Sequence, residues 1–157
     1  MARKKLNDLL DIAINVEIDS QKFYQDAANK TSNAKAKNFL NSLAEAEKTH
    51  ERILKEIKDM KLYDGSIHVD TQMLDITQGA HSIENSEIDD NTTLEEIYQI
   101  AQKREMKAYI LFQDMERIAP NKEILKLFTS LSKEEMAHYK SIKNAFNSLT
   151  GQRGYEG

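Results

Sequence analysis

An internal repeat constrains this chain more than any other feature. Shifted by 88 positions, Ile12, Ala13, Glu17, Gln25, Asp26, Asn33, Ser42, Leu43, Glu47, His50 and Lys55 recur as Ile100, Ala101, Glu105, Gln113, Asp114, Asn121, Ser130, Leu131, Glu135, His138 and Lys143. Residues 6–62 align on the second half without a gap, and a short polar turn falls at the same place in each copy. Such a repeat implies two supersecondary units related by a pseudo-twofold axis.

Periodicity shows what the unit is. Leu6, Leu9, Leu10, Ala13, Val16, Phe23, Tyr24 and Ala27 fall on one helical face. After the polar stretch 29–33, Ala36, Phe39, Leu40, Leu43, Ala46, Leu54 and Ile57 form a second face. A turn that short makes the two helices antiparallel neighbours. The second copy supplies Leu94, Ile97, Ala101, Ala108, Leu111, Phe112 and Met115, then Ile124, Leu127, Phe128, Leu131, Ile142, Ala145, Phe146 and Leu149. The expected fold is therefore all-α: a four-helix bundle of two antiparallel hairpins, with helices over about 6–29, 33–62, 93–118 and 121–149. One Pro and five Gly are too few turn-formers for an all-β fold, and 39% apolar residues are too many for general disorder.

Residues 63–92 break the pattern at Asp64-Gly65, at Gly79 and through the run 87–91, with a short helix expected near Thr71–Thr77. A connection this long needs a reason, and here it carries the chain from one end of the bundle to the other. Thr92 with Glu95, or Thr93 with Glu96, forms a capping box opening helix three. Pro120 is placed at a first helical turn, and Gly151 stops helix four. One domain over 1–150 is expected, with 151–157 as a flexible tail.

Four glutamates and two histidines interrupt the apolar faces. Glu17 follows Ala13 by one turn and precedes Tyr24 by two, and Glu105 stands likewise between Ala101 and Phe112. Glu47 and His50 continue the Leu43 face, and Glu135 and His138 the Leu131 face. Residues three apart on a helix project side by side, so each Glu-x-x-His offers one oxygen and one nitrogen to a shared ion. Glu17 lies 12 residues before the first turn and Glu47 lies 14 after it. At 1.5 Å per residue these are about 18 and 21 Å, so the carboxylates meet at one level. A single Glu on a helix is ordinarily a solvated charge, as Glu45, Glu51, Glu56, Glu95 and Glu96 are taken to be. Four on core faces, repeated at one offset, would cost more than a domain's stability of roughly 5–15 kcal/mol unless compensated. Two divalent cations would cancel their charge. Carboxylate and imidazole ligands without thiolate suit iron or manganese. His68 and His81 lie in the crossover and receive no role.

Other functions are excluded by composition. Lys and Arg total 22 against 26 Asp and Glu, a net charge of −4 with no basic block, so nucleic acid is not an expected partner. Absence of Cys removes disulfides, thiolate zinc, iron–sulfur clusters and thiol nucleophiles. No apolar run reaches the roughly 18–20 residues of a membrane span. Asn7, Asp8 and Asp11 break the stretch behind Met-Ala-Arg-Lys-Lys, so no signal peptide is expected and the location is taken as cytoplasmic.

One Glu from each of two helices, with Glu-x-x-His from each of the other two, is the ligand pattern of ferritin-like di-iron and di-manganese proteins. Over residues 6–149 the chain resembles the rubrerythrin branch of that superfamily, most clearly in EIDSQKFY (Glu17–Tyr24) and LAEAEKTHERIL (Leu43–Leu54). The resemblance implies a ferritin-like bundle holding two iron ions per chain, or manganese or a mixed pair. It also implies that Glu47 and Glu135 bridge them while Glu17, His50, Glu105 and His138 are terminal ligands. Tyr24, beside Glu17, is a candidate hydrogen-bond donor to the site, and Phe112 takes its place in the other half. The implied activity is reduction of hydrogen peroxide or dioxygen by a non-haem di-iron oxidoreductase, in a homodimer. The alternatives are a ferroxidase or iron-handling protein acting on Fe(II), and a non-enzymatic bundle stabilised by metal. Two departures qualify the resemblance. Rubrerythrins carry a rubredoxin domain with four cysteines, and without Cys the electrons are expected from a separate donor protein or from ferrous iron. The family's further Glu, one turn after the helix-three ligand, is Ala108 here, which leaves a symmetric six-ligand site closer to the bacterioferritin pattern.

Overall fold

A computed structural model describes residues 3–60, 68–70 and 88–151. Among the described residues are four helices: α1 (Leu6–Lys30), α2 (Ala34–Asp59), α3 (Leu94–Arg117) and α4 (Lys122–Thr150). α1 packs along α2 and α3 along α4, and the two hairpins meet through α1 with α3 and α2 with α4. This is a four-helix bundle of two hairpins. Among the described residues no helix is long and apolar enough to cross a membrane.

Local chemistry sets the helix ends. Asn33 caps α2 by accepting a hydrogen bond from Ala36 N at 3.0 Å, and its repeat partner Asn121 caps α4 by accepting from Ile124 N at 2.9 Å. Both hairpin turns therefore close on the same device. Of the two candidate capping boxes at α3, Thr93 with Glu96 forms: Glu96 N donates to Thr93 Oγ1 and Thr93 N donates to Glu96 Oε1, each at 3.1 Å. Pro120 precedes the cap instead of lying in the first helical turn, because Asn121 takes the capping position and α4 starts at Lys122. Gly151 ends α4 at φ 79°, a left-handed conformation in which a side chain would be strained.

The core is split into two apolar layers. One holds Leu9, Leu10 and Ala13 of α1, Leu54 and Ile57 of α2, Ala108 to Met115 of α3, and Ile124 to Leu131 of α4. The other holds Phe23 to Ala28 of α1, Leu40 to Ala44 of α2, Ile97 to Ala101 of α3, and Ile142 of α4. Each helix thus passes from one layer to the other. α2 ends in the first layer and α3 begins in the second, so the two ends of the connection lie at opposite ends of the bundle. Leu149, expected on the buried face, is 41% exposed, because the last turn of α4 runs past the second layer.

A small β element was not expected. β1 (Arg3–Lys5) pairs antiparallel with β2 (His68–Asp70), Lys5 opposite His68. Strands of three residues are too short to show an alternating pattern. His68 is thereby held beside the start of α1, twelve residues or roughly 18 Å along the helix from Glu17. The short helix near 71–77, the Gly79 and His81 positions and the tail from 152 lie outside the described residues.

Candidate metal centre

Between the apolar layers lies a polar one, built from all four helices. Glu17, Glu47, Glu105 and Glu135 are each at most 2% exposed, and His50 is equally buried. The structure brings all six predicted residues together in two overlapping groups. Glu17, Glu47, His50 and Glu135 offer ligand atoms within 4.8 Å of one another, and so do Glu47, Glu105, Glu135 and His138. Glu47 and Glu135 belong to both groups. The two imidazoles lie side by side, centroids 5.9 Å apart and planes 19° from parallel.

Both histidines turn Nδ1 towards the carboxylates. His50 Nδ1 is 2.9 Å from Glu135 Oε1, 3.7 Å from Glu17 Oε1 and 3.9 Å from Glu47 Oε2. His138 Nδ1 is 3.6 Å from Glu47 Oε1, 3.7 Å from Glu105 Oε1 and 3.8 Å from Glu135 Oε1. None of these approaches is aligned as a hydrogen bond. Both Nδ1 atoms, both oxygens of Glu17 and of Glu135, and Glu47 Oε1 are buried without a partner. Buried polar atoms are almost always satisfied, and an orphan costs about 1–3 kcal/mol or more when charged. Orphaned oxygens and nitrogens converging on two adjacent points are the donor set that a pair of cations would complete.

Electrostatics of the ion-free cluster agree. Burial, then the charge of Glu47, pushes Glu17 and Glu135 well above the ordinary carboxylate range. Burial and the charge of Glu47 likewise raise Glu105 to about 8. Glu47 behaves oppositely. Burial pushes it up, but the close approach of the Glu17 carboxyl and the nearness of His138 and His50 hold it below its ordinary value. Burial also lowers His138, yet the nearness of Glu47 and the charges of Glu105 and Glu47 outweigh that and raise it.

Tyr24 donates a hydrogen bond to Glu105 Oε1 at 2.8 Å, and burial raises its hydroxyl well above the usual value. The donor expected beside Glu17 therefore serves the carboxylate of α3, because the ring crosses the bundle. Phe112, its repeat partner, lies fully buried in the first apolar layer, so this contact has no symmetric copy. Ala108 lies buried in the same layer. Sequence spacing also missed Glu134, which accepts a hydrogen bond from His50 Nε2 at 2.9 Å. Its side chain is 57% exposed and lies on the polar side of α4, so no pattern distinguishes it from any solvated Glu.

Four helices presenting this carboxylate and imidazole layer define a protein of the ferritin-like class with a potential metal site. The sequence profile of the Rubrerythrin family matches residues 8–146. The chain belongs to the rubrerythrin family. Among solved structures it is similar to a protein of Thermotoga maritima described as ferritin-like and diiron-carboxylate. The two share 20% identity and a TM-score of 0.78, over 94% of this chain and 97% of that one. It is also similar to a hypothetical protein from Pyrococcus furiosus, at 22% identity and a TM-score of 0.70, over 93% and 90% of the two chains. No curated protein matches the sequence.

Proposed function

We propose that this protein is a di-iron oxidoreductase reducing hydrogen peroxide or dioxygen with electrons from a separate donor. The observation that carries this reading is the overlap of two four-residue groups at Glu47 and Glu135, which fits two cations held side by side. Two Fe(II) ions bound there would supply the two electrons that cleave an O–O bond. The donor set suits iron, and manganese or a mixed pair would meet the same demands. The two apolar layers keep bulk water from the carboxylates. Tyr24 holds a proton on Glu105 Oε1 and can ease charge changes there. His138, with 21% of its side chain exposed, marks the side from which a small substrate reaches the centre. In this reading the electrons come from a separate donor protein or from ferrous iron. A homodimer and a cytoplasmic setting belong to the same proposal.

Ala108 favours a second reading, a ferroxidase. With no carboxylate one turn beyond Glu105, the ion beside His138 would have fewer protein ligands and exchange more readily, as suits Fe(II) acting as substrate. Mixing the anaerobically Fe(II)-loaded protein with peroxide separates the readings. The peroxide-reductase reading expects one peroxide consumed per two Fe(II), and repeated turnover when a reductant is supplied. Oxidation of many Fe(II) per chain, with no turnover by reductant, would replace it with the ferroxidase reading. No reaction with peroxide or air would leave only a metal-stabilised bundle.

A further inference from the structure

The repeat makes the two halves of the centre equal in ligands, but their surroundings differ. His50 Nε2 donates to Glu134 at 2.9 Å. Glu134 lies one turn before His138 on α4, yet it reaches across to the histidine of the other hairpin. The residue matching Glu134 in the first half is Ala46, which has no side-chain acceptor. The pseudo-twofold therefore gives His50 an outer carboxylate and denies one to His138.

Two further asymmetries point the same way. The His50 side chain is 2% exposed and that of His138 is 21%. Tyr24 donates to Glu105, drawing charge from that carboxylate, whereas both oxygens of Glu17 lack a hydrogen-bond donor and keep their full donor strength. An imidazole that donates its outer N–H to a carboxylate is fixed in one tautomer and orientation and becomes a stronger base towards a metal. Burial also keeps competing water from the bond.

We propose that the two cation positions are unequal by construction. The position of Glu17 and His50 is the tight one, with Glu134 as its positioning residue, and the position of Glu105 and His138 is the weaker, solvent-facing one. This rests on the two-cation reading above and goes beyond it by ordering the pair. The tight position fills first, and the weak one exchanges its ion.

Mn(II) is a suitable probe because it is stable in air and its free concentration is read by electron paramagnetic resonance. The wild-type protein should show two binding steps whose dissociation constants differ at least tenfold. A crystal grown with one Mn(II) per chain should place the anomalous signal beside His50. Glu134→Ala should weaken the first step by about 10–100-fold and leave the second nearly unchanged. Glu134→Gln, which keeps a neutral acceptor, should recover part of the loss. Ala46→Glu, which offers His138 the same outer carboxylate, should tighten the second step and narrow the gap. Two equal steps, a half-loaded crystal with Mn(II) beside His138, or a Glu134→Ala variant that shifts both steps alike would each overturn the ordering while leaving the two-cation reading intact. No Mn(II) binding by the wild type would overturn both.

Discussion

Saturating Mn(II) or anaerobic Fe(II) should raise the melting midpoint of the ion-free protein by roughly 15–30 °C at pH 8. An ion present at a thousand times its dissociation constant, and bound only by the native state, adds about 4 kcal/mol, and two such ions about 8 kcal/mol. In a chain of this size each kcal/mol moves the midpoint by about 2–4 °C. The size of the effect depends on pH, and the sign follows from the carboxylates. Glu105 is raised from an ordinary value of 4.5 to about 8, so the folded state binds its proton more tightly than the unfolded state does. That stabilisation is fully present below about pH 4.5 and is lost as pH rises towards 8. Glu17 and Glu135, also raised, act in the same direction. So does His138, over the window above its ordinary 6.5. Glu47, held low, contributes stability that is lost only as pH falls through its folded value, below 4.5. The ion-free protein should therefore melt at a lower temperature at pH 8 than at pH 5. Cations must displace those protons, so their contribution should grow over the same interval. Melting curves at pH 5, 6.5 and 8, with a chelator or with Mn(II), check both statements. An ion-free midpoint that is flat across this range and unmoved by Mn(II) would mean that the carboxylates are solvated.

Removing either shared carboxylate should abolish binding of both ions, with apparent affinities falling more than 100-fold. Glu47 and Glu135 each face both histidines and belong to both ligand groups, whereas Glu17 and Glu105 each belong to one. Glu47→Ala and Glu135→Ala should accordingly leave fewer than one ion per chain. Glu17→Ala and Glu105→Ala should each weaken mainly one position. Stability of the ion-free form should move the other way. Glu135→Gln removes a buried group whose ionisation is unfavourable, so the variant is spared the stability that the wild type loses as pH rises. At pH 8 that variant should melt above the ion-free wild type and gain nothing from Mn(II). A Glu135→Ala protein that keeps two ions at unchanged affinity would remove the shared role.

The helices and the six polar residues were legible in the sequence because both depend on spacing along one helix. Glu17 falls on the face of Ala13 and Tyr24, and a glutamate there is buried wherever the face goes. The repeat then carried the same inference to Glu105, Glu135 and His138. What spacing cannot show is which side chain crosses from a neighbouring helix. Tyr24 was legible as a donor near the centre but not as the donor to Glu105, and Glu134 was not legible at all. Repeat identity also overstates equivalence. Asp26 and Asp114 match in sequence, yet Asp26 is exposed while Asp114 is fully buried and paired with Arg117 at 2.8 Å. The β1–β2 pairing escaped because six residues and one register carry no periodicity. Pro120 was misplaced by two residues for a local reason: Asn121 takes the helix start by capping Ile124 N, and α4 begins at Lys122.

The central claim is that four buried carboxylates and two imidazoles exist to hold a pair of cations. An anaerobic Fe(II) titration of the ion-free protein, with bound iron counted per chain after removal of the excess, tests it most directly. The wild type should saturate at two ions per chain and Glu47→Ala at fewer than one. Saturation at one ion, or no iron retained by a correctly folded wild-type protein, would contradict it.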